Sequence, residues 1–98
     1  MILEELYEII EDRKKRMQEK SYVVSLFKKG KDKIIQKVGE ESTEVIIAAK
    51  NESKQRIISE IADLVFHLLV LMSLFKITIL DILKELDKRK NEVKNTVV

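Results

Sequence analysis

The sequence predicts an all-α protein that folds as one small helical bundle. The 98 residues contain no proline and only two glycines, Gly30 and Gly39, so helices are interrupted at few points. Apolar residues make up 45% of the chain and charged residues 37%, and they follow the helical period over most of its length. The length fits a single domain over residues 1–98. Its core is modest enough that self-association is expected.

The first half of the chain contains two predicted helices. The first runs from about Ile2 to Lys20, where apolar side chains recur every three or four residues. The stretch EKSYVVSLFKKGKDK then interrupts this pattern, with Ser21 able to cap a turn and Gly30 a break between two lysines. The second predicted helix spans about Asp32 to Lys50. Its apolar positions are Ile34, Ile35, Val38, Val45, Ile46 and Ala49.

The second half contains two more predicted helices. The link NESKQ offers an asparagine and a serine as helix caps, and the third helix follows from about Gln55 to Phe75. Thr78 and Asp81 have the spacing of a capping box, which starts the fourth helix, from about Ile79 to Lys94. Its inward positions are predicted to be Ile82, Leu83 and Leu86. Four helices with short links favour a four-helix bundle.

Charge and residue usage exclude several classes of protein. Nineteen basic and seventeen acidic residues give a net charge of +2, which indicates neither a nucleic-acid binder nor a membrane-surface binder. The absence of cysteine excludes disulfides and thiolate metal sites. Residues 57–75 are apolar enough to suggest a membrane span, but Glu60, Asp63 and His67 argue against it. The acidic N-terminal segment is unlike a secretory signal, so a cytoplasmic protein is expected.

Two acid pairs stand on consecutive predicted helices. GEESTE contains Glu41 and Glu44, and SEIAD contains Glu60 and Asp63. The members of each pair are three residues apart and share a helix face. The second pair lies in a helix with few polar neighbours, so it is expected to face the core. If the helices pack antiparallel, four carboxylates converge and repel one another unless a cation compensates them.

Spacing alone leaves the compensating group open. An all-oxygen set of acids favours Mg²⁺ or Mn²⁺, but buried lysine or arginine side chains would also serve. Glu41 and Glu44 by themselves are typical of a solvated helix face, where Lys37 could pair with Glu41. His67 is most often a core histidine that donates to a backbone or side-chain acceptor. A di-iron bundle is excluded, because the chain has one histidine and no E-x-x-H motif.

A basic cluster precedes the first acid pair. Its members surround Gly30 and are Lys28, Lys29, Lys31 and Lys33. They form either a solvated loop or a collar for substrate phosphates, and they lack the interleaved aromatic residues of single-strand nucleic-acid platforms. Arg89 could add a bidentate phosphate contact or lie on the surface.

These motifs resemble a known family. E-x-x-E followed by E-x-x-D on consecutive helices resembles the all-α nucleoside triphosphate pyrophosphohydrolases related to MazG. Within that group, QKVGEESTEVIIAAK with SEIADLVFHLLVL is similar to the phosphoribosyl-ATP pyrophosphohydrolase family of histidine biosynthesis, over about Leu3 to Arg89. The resemblance implies a MazG-like four-helix bundle. Apolar residues on several faces of the third predicted helix suggest that the chain assembles as a homodimer. One departure is Val23, which stands where family members often have threonine.

The resemblance also implies a reaction and a site. Phosphoribosyl-ATP is hydrolysed between its α and β phosphates, giving phosphoribosyl-AMP and pyrophosphate. Mg²⁺, or Mn²⁺ as a substitute, would be held by Glu41, Glu44, Glu60 and Asp63. The catalytic candidates are Glu41 and Glu40, the latter as an additional ligand or as the base that orients water. Substrate contacts would come from Ser21, Tyr22, Lys28, Lys31, Lys37 and Arg89.

Two rival functions stay open at this point. A house-cleaning pyrophosphatase acting on free nucleoside triphosphates needs the same metal and the same cleavage, so the acid pairs do not separate it from the first function. A non-catalytic helical partner of a second protein has no need of concentrated carboxylates. The expected partners are the small-molecule substrate and a second copy of the chain, with no nucleic acid and no membrane. Association with a separate phosphoribosyl-AMP cyclohydrolase is left open.

Overall fold

Five helices form the fold of the part of the chain that the structure, a computed structural model, describes. That part comprises residues 1–18 and 20–96, and it contains no strand. The helices are α1 (Ile2–Arg16), α2 (Tyr22–Lys29), α3 (Lys31–Lys50), α4 (Lys54–Leu74) and α5 (Ile79–Lys94). The three-residue link between α3 and α4 makes them antiparallel neighbours, α1 packs on α2, α4 and α5, and α2 also packs on α3. The all-α prediction is confirmed.

The structure adds one helix, α2, to the four predicted. The Ser21 hydroxyl accepts a hydrogen bond from the backbone N–H of Val24 at 3.1 Å and so caps this helix. Eight residues are too few to display a helical period, and β-branched valines lower the intrinsic propensity. Burial of Val23, Val24 and Leu26 stabilises the helix instead, which is a tertiary effect.

Helix ends follow local signals where those signals are strong. The capping box at α5 is present as predicted: the Asp81 N–H donates to the Thr78 hydroxyl at 3.1 Å, and the Thr78 N–H donates to the Asp81 carboxylate at 2.8 Å. The hydrogen bond from the Thr78 N–H, and next the Thr78 side chain, lower the pKa of Asp81. By contrast, α1 ends at Arg16 rather than Lys20, because Met17 adopts a left-handed conformation with φ 48° and its N–H donates to the Arg13 carbonyl.

The core lies where α1, α2 and the C-terminal half of α4 meet the start of α3. Its buried residues are Ile10, Val23, Leu26, Ile34, Leu69 and Val70. Within the described residues, α4 is also the one helix whose length and hydropathy would allow it to cross a membrane, a test that the core helices of soluble proteins pass as well. Here Leu69 and Val70 of α4 sit in the core, so the helix takes part in the bundle.

Some residues predicted to face inward are exposed. On α5, Ile82, Leu83 and Leu86 are 40%, 49% and 54% exposed, so that part of the prediction is wrong for the single chain. They line an open apolar groove of about 190 Å³ together with residues of α1 and α4. On α3, Ala48 is fully buried, whereas the predicted Ala49 is exposed. The helical period identifies apolar positions, but the packing of neighbouring helices decides which of them are covered.

A polar network fastens α1 to the end of α4. The hydroxyl of Ser73, a fully buried residue, donates to the Glu11 carboxylate at 2.5 Å. Lys14 donates to the Ser73 carbonyl at 2.8 Å and also lies 2.8 Å from Glu11. Burial raises the pKa of Glu11, but the hydrogen bonds from Lys14 and Ser73 outweigh it, and the pKa lies below its ordinary value of 4.5.

Glu11→Ala is expected to destabilise the fold more at pH 7 than at pH 3. The folded-state pKa is depressed, so the carboxylate contributes stability above the unfolded-state pKa and loses it as the pH falls through the folded-state pKa. We expect a loss of about 1.5 kcal/mol at pH 7, the low end of the range for a hydrogen bond to a charged group, because the Glu11 side chain is 35% exposed to screening solvent.

Urea unfolding at both pH values measures this effect. The control is Glu8→Ala, which removes an exposed acid from the same helix and should change stability by less than about 0.5 kcal/mol. An equal loss at pH 7 and pH 3 would contradict the assignment to the ionised carboxylate.

Candidate active site

Three of the four predicted metal ligands come together between α3 and α4. Glu41 of α3, and Glu60 and Asp63 of α4, each offer one carboxylate oxygen, and these oxygens lie within 4.8 Å of one another. They meet because the antiparallel hairpin sets the middle of α3 beside the first half of α4. Among the described residues Glu44 falls outside this carboxylate group, and its role as a ligand stays a prediction.

Basic side chains on the same helices offset part of the charge. Lys37 Nζ lies 3.3 Å from a Glu41 oxygen, and an Arg56 guanidinium nitrogen lies 3.8 Å from a Glu60 oxygen. Within the described part of the chain, no ion pair reaches Asp63. Helix pairs of this kind contribute about 0.3–0.5 kcal/mol each. Three like charges this close cost about 1 kcal/mol per pair even in bulk water, so a net repulsion remains for a cation to relieve.

The carboxylates are unequally buried, which corrects the expectation that the α4 pair faces the core. The side chains of Glu41 and Glu60 are only 13% and 17% exposed. Asp63, however, lies on the exposed side of α4. The side of α4 that carries Asp63 is not covered by the described part of the chain, so Asp63 keeps its hydration there. An apolar composition therefore does not predict that a helix is buried along its whole length.

Lys37 stands between the carboxylate group and the start of α2. Partial burial lowers its pKa, but the hydrogen bond to Glu41 and the proximity of Tyr22 and Glu40 outweigh it and raise the pKa above the ordinary value. The ammonium group thus stays charged at neutral pH. Glu40 is exposed, lies 3.9 Å from Lys37 Nζ and accepts a hydrogen bond from Gln36 at 3.3 Å.

His67 is buried and connects α4 to the start of α2. Its Nδ1 lies 2.7 Å from the Asp63 carbonyl oxygen, and its Nε2 lies 2.7 Å from the Tyr22 hydroxyl. A carbonyl oxygen only accepts, so Nδ1 carries a proton. The prediction of a core histidine that donates to a backbone acceptor is confirmed. Sequence reasoning missed its pairing with Tyr22, which is 45 residues away and leaves no local signal.

The other predicted substrate contacts lie on separate elements. The Ser21 oxygen is engaged in capping α2. Lys28, at the exposed end of α2, lines an open pocket with Ser21, and Lys31 is exposed at the start of α3. Arg89, on the exposed α5, lies 3.4 Å from Glu85 of the same helix. The structure therefore places Lys37 beside Glu41 and connects Tyr22 to Asp63 through His67, and the substrate-binding roles of all six residues stay predictions.

Comparison with known proteins gives the family. The sequence profile of the family named phosphoribosyl-ATP pyrophosphohydrolase matches residues 3–90. The phosphoribosyl-ATP pyrophosphatase of Sulfolobus acidocaldarius is 54% identical over 88 residues, which cover 90% of this chain and 93% of that protein. The phosphoribosyl-ATP pyrophosphatase of Clostridium botulinum strain Hall is 53% identical over 94 residues, covering 96% of this chain and 86% of that protein.

A third relative is longer. The histidine biosynthesis bifunctional protein HisIE of Caldanaerobacter subterraneus subsp. tengcongensis is 53% identical over 88 residues, covering 90% of this chain and 43% of that protein. Both the profile and the first two relatives extend over nearly the whole chain, and the resemblance drawn from the acid pairs is confirmed. The chain belongs to the phosphoribosyl-ATP pyrophosphohydrolase family.

Proposed function

We propose that this chain, a hydrolase by its family, converts phosphoribosyl-ATP to phosphoribosyl-AMP and pyrophosphate in histidine biosynthesis and needs Mg²⁺ to do so. Family membership and relatives named phosphoribosyl-ATP pyrophosphatase support the reaction. The metal requirement is carried by one observation, the three carboxylate oxygens within 4.8 Å of one another. A donor set made only of oxygen suits Mg²⁺, and Mn²⁺ as its substitute.

The residues present fit such an ion. Glu41, Glu60 and Asp63 would hold it, with Glu44 as a further ligand from the next turn of α3. A bound divalent ion neutralises charge on the polyphosphate and orients an attacking water. Without the ion, the net repulsion among these carboxylates is a local cost to stability.

Two charged residues beside the carboxylate group have complementary tasks. Glu40 is exposed next to Glu41 on α3, where its carboxylate can accept a proton from the attacking water. Lys37 keeps its charge and can bind a phosphate oxygen as a point charge. The water oxygen then bonds to the α-phosphorus, the bond between this phosphorus and the oxygen that bridges the α and β phosphates breaks, and that oxygen leaves with pyrophosphate.

The test compares pyrophosphate release from phosphoribosyl-ATP, ATP and dATP at equal concentration with Mg²⁺. We expect rapid release from phosphoribosyl-ATP, little from the other two, and loss of all release with a chelator. Turnover of ATP and dATP at comparable rates would place the chain with the house-cleaning pyrophosphatases instead. If none of the three substrates releases pyrophosphate and titration calorimetry detects no Mg²⁺ binding, a non-catalytic helical module is favoured.

We also propose that the chain assembles as a homodimer through an apolar face of α4 and α5. This α4–α5 face contains the stripe Ile58, Ile61, Val65, Leu68 and Met72 on α4, together with Ile82, Leu83 and Leu86 on α5. Only 22% of the apolar window in α4 is buried within the chain, and the groove between the two helices is open and lined only by apolar residues. A second copy carries the same apolar face, which suits a two-fold interface.

Two further predictions remain proposals of the same kind. Association with a phosphoribosyl-AMP cyclohydrolase is supported by the bifunctional HisIE relative, of which this chain matches 43%. Co-purification of the two proteins from one extract would test it. A cytoplasmic location is supported by Glu60, Asp63 and His67 within α4, which do not suit a membrane span.

A further inference from the structure

The Tyr22 ring is held against α4 on one side and open on the other. Its centroid lies 6.2 Å from that of Phe66, with the planes 27° apart, and 5.5 Å from the His67 ring in an edge-to-face arrangement. Tyr22 is nevertheless 49% exposed. A ring packed in this way keeps one free surface at a fixed angle, which suits contact with a bound molecule.

His67 determines where the Tyr22 hydroxyl points. His67 is only 6% exposed, and its Nδ1–H donates to the Asp63 carbonyl. In the neutral ring Nε2 is then an acceptor, so the Tyr22 hydroxyl donates to it at 2.7 Å. Phe66 packs edge-to-face on the imidazole at 5.2 Å. Both ring nitrogens are therefore occupied, and the imidazole is fixed from three sides.

This arrangement meets the carboxylate group at Asp63. The Asp63 residue that anchors His67 through its carbonyl also supplies a carboxylate oxygen to the group. The other nitrogen of the same imidazole lies 2.7 Å from the Tyr22 hydroxyl, so one histidine connects Tyr22 to a residue of the group. The Tyr22 ring thus stands at the edge of the proposed site.

We propose that His67 is a positioning residue for phosphoribosyl-ATP: by accepting the Tyr22 hydroxyl, it holds the exposed Tyr22 ring at the edge of the carboxylate group, where the ring contacts substrate. The inference rests on the proposed function. His67 acts through Tyr22 and not as a metal ligand, because its two nitrogens are already committed. Its contribution is to substrate binding, and therefore to KM more than to kcat.

The test is a double-mutant cycle between His67 and Tyr22, with steady-state kinetics on phosphoribosyl-ATP. His67→Met keeps the bulk and removes the acceptor, and Tyr22→Phe keeps the ring and removes the hydroxyl. Each is expected to raise KM about fivefold, the scale of one hydrogen bond, with kcat within about twofold. The double variant is expected to be no worse than either single one. His67→Gln, whose side-chain oxygen can accept the hydroxyl, is expected to restore KM.

Three results would overturn the inference. Multiplicative effects in the double variant would mean that His67 and Tyr22 act independently. Failure of His67→Gln to restore KM while it folds normally would remove the acceptor role. Mn²⁺ affinity, measured by titration calorimetry, should be unchanged in His67→Met; a loss would show that His67 acts on the metal site instead.

A substitute variant and the wild-type reaction separate the positioning role from protein folding and from the proposed function. If His67→Met does not fold, His67→Asn replaces it, because its amide can still donate to the Asp63 carbonyl but is too short to reach Tyr22. If the wild-type chain turns over phosphoribosyl-ATP normally and the variants keep its KM and kcat, only the positioning role is refuted. Absence of wild-type turnover of phosphoribosyl-ATP refutes the proposed function and this inference together.

Discussion

Asp63→Asn is expected to abolish pyrophosphate release and to make the metal-free protein more stable. The substitution removes one of three like charges whose oxygens lie within 4.8 Å of one another, and Asp63 has no compensating ion pair among the described residues. Relief of repulsion in the two pairs that include Asp63 should raise the free energy of unfolding by about 2 kcal/mol. Turnover should fall at least about 100-fold, because the ion that stabilises the developing charge loses a ligand.

Melting temperatures with Mg²⁺ and with a chelator, together with the rate of pyrophosphate release, measure both effects. Chelation should lower the melting temperature of the wild-type protein, since the ion binds the folded state, and should leave Asp63→Asn unchanged. Asp87→Asn is the matched control, because it makes the same chemical change at an exposed position on α5. An Asp63→Asn variant with a near wild-type rate would rule out this residue as a ligand.

Leu83→Glu is expected to convert a dimer into a monomer. Leu83 is 49% exposed in the single chain and lines the groove of the α4–α5 face. In a homodimer closed over that face, the new carboxylate would be buried without a partner, at a cost of several kcal/mol. The dissociation constant should therefore rise at least about 100-fold.

Analytical ultracentrifugation at about 1 to 100 μM protein gives the oligomeric state. This range includes a dissociation constant of about 1 μM, which corresponds to an association free energy of about −8 kcal/mol. Val93→Glu is the control, because Val93 is 74% exposed on the same helix and lies outside the groove. A wild-type protein that is monomeric throughout this range would refute the dimer. A Leu83→Glu protein that stays dimeric would place the interface elsewhere.

Features that depend on a few neighbouring residues were predictable from the sequence. The capping box fixed the start of α5, because both of its hydrogen bonds join residues three apart. The spacing of Glu60 and Asp63 placed both acids within reach of one another on α4 for the same reason. Family membership was also readable, because two short motifs carry it. For the capping box and the acid pair, the decisive distance lies within about one turn of helix.

Features that depend on distant partners were not predictable in the same way. The eight residues of α2 form a helix because three of them are buried by other elements, and propensity alone does not require it. The pairing of His67 with Tyr22 joins residues 45 apart. His67 was predicted to donate to some acceptor, but which side chain it meets depends on how α2 packs against α4.

The helical period, the two motifs and the residue spacing were enough to predict the helical class, the family and the acid pairs on consecutive helices. Packing between helices, by contrast, places Glu41 with Glu60 and Asp63 and leaves Glu44 outside the group. It also leaves Asp63 and the apolar side of α5 exposed. Residue spacing sets positions around one helix axis. The separation and crossing of two axes follow from side chains packing across the whole bundle, and these decide which oxygens meet and which apolar faces remain open.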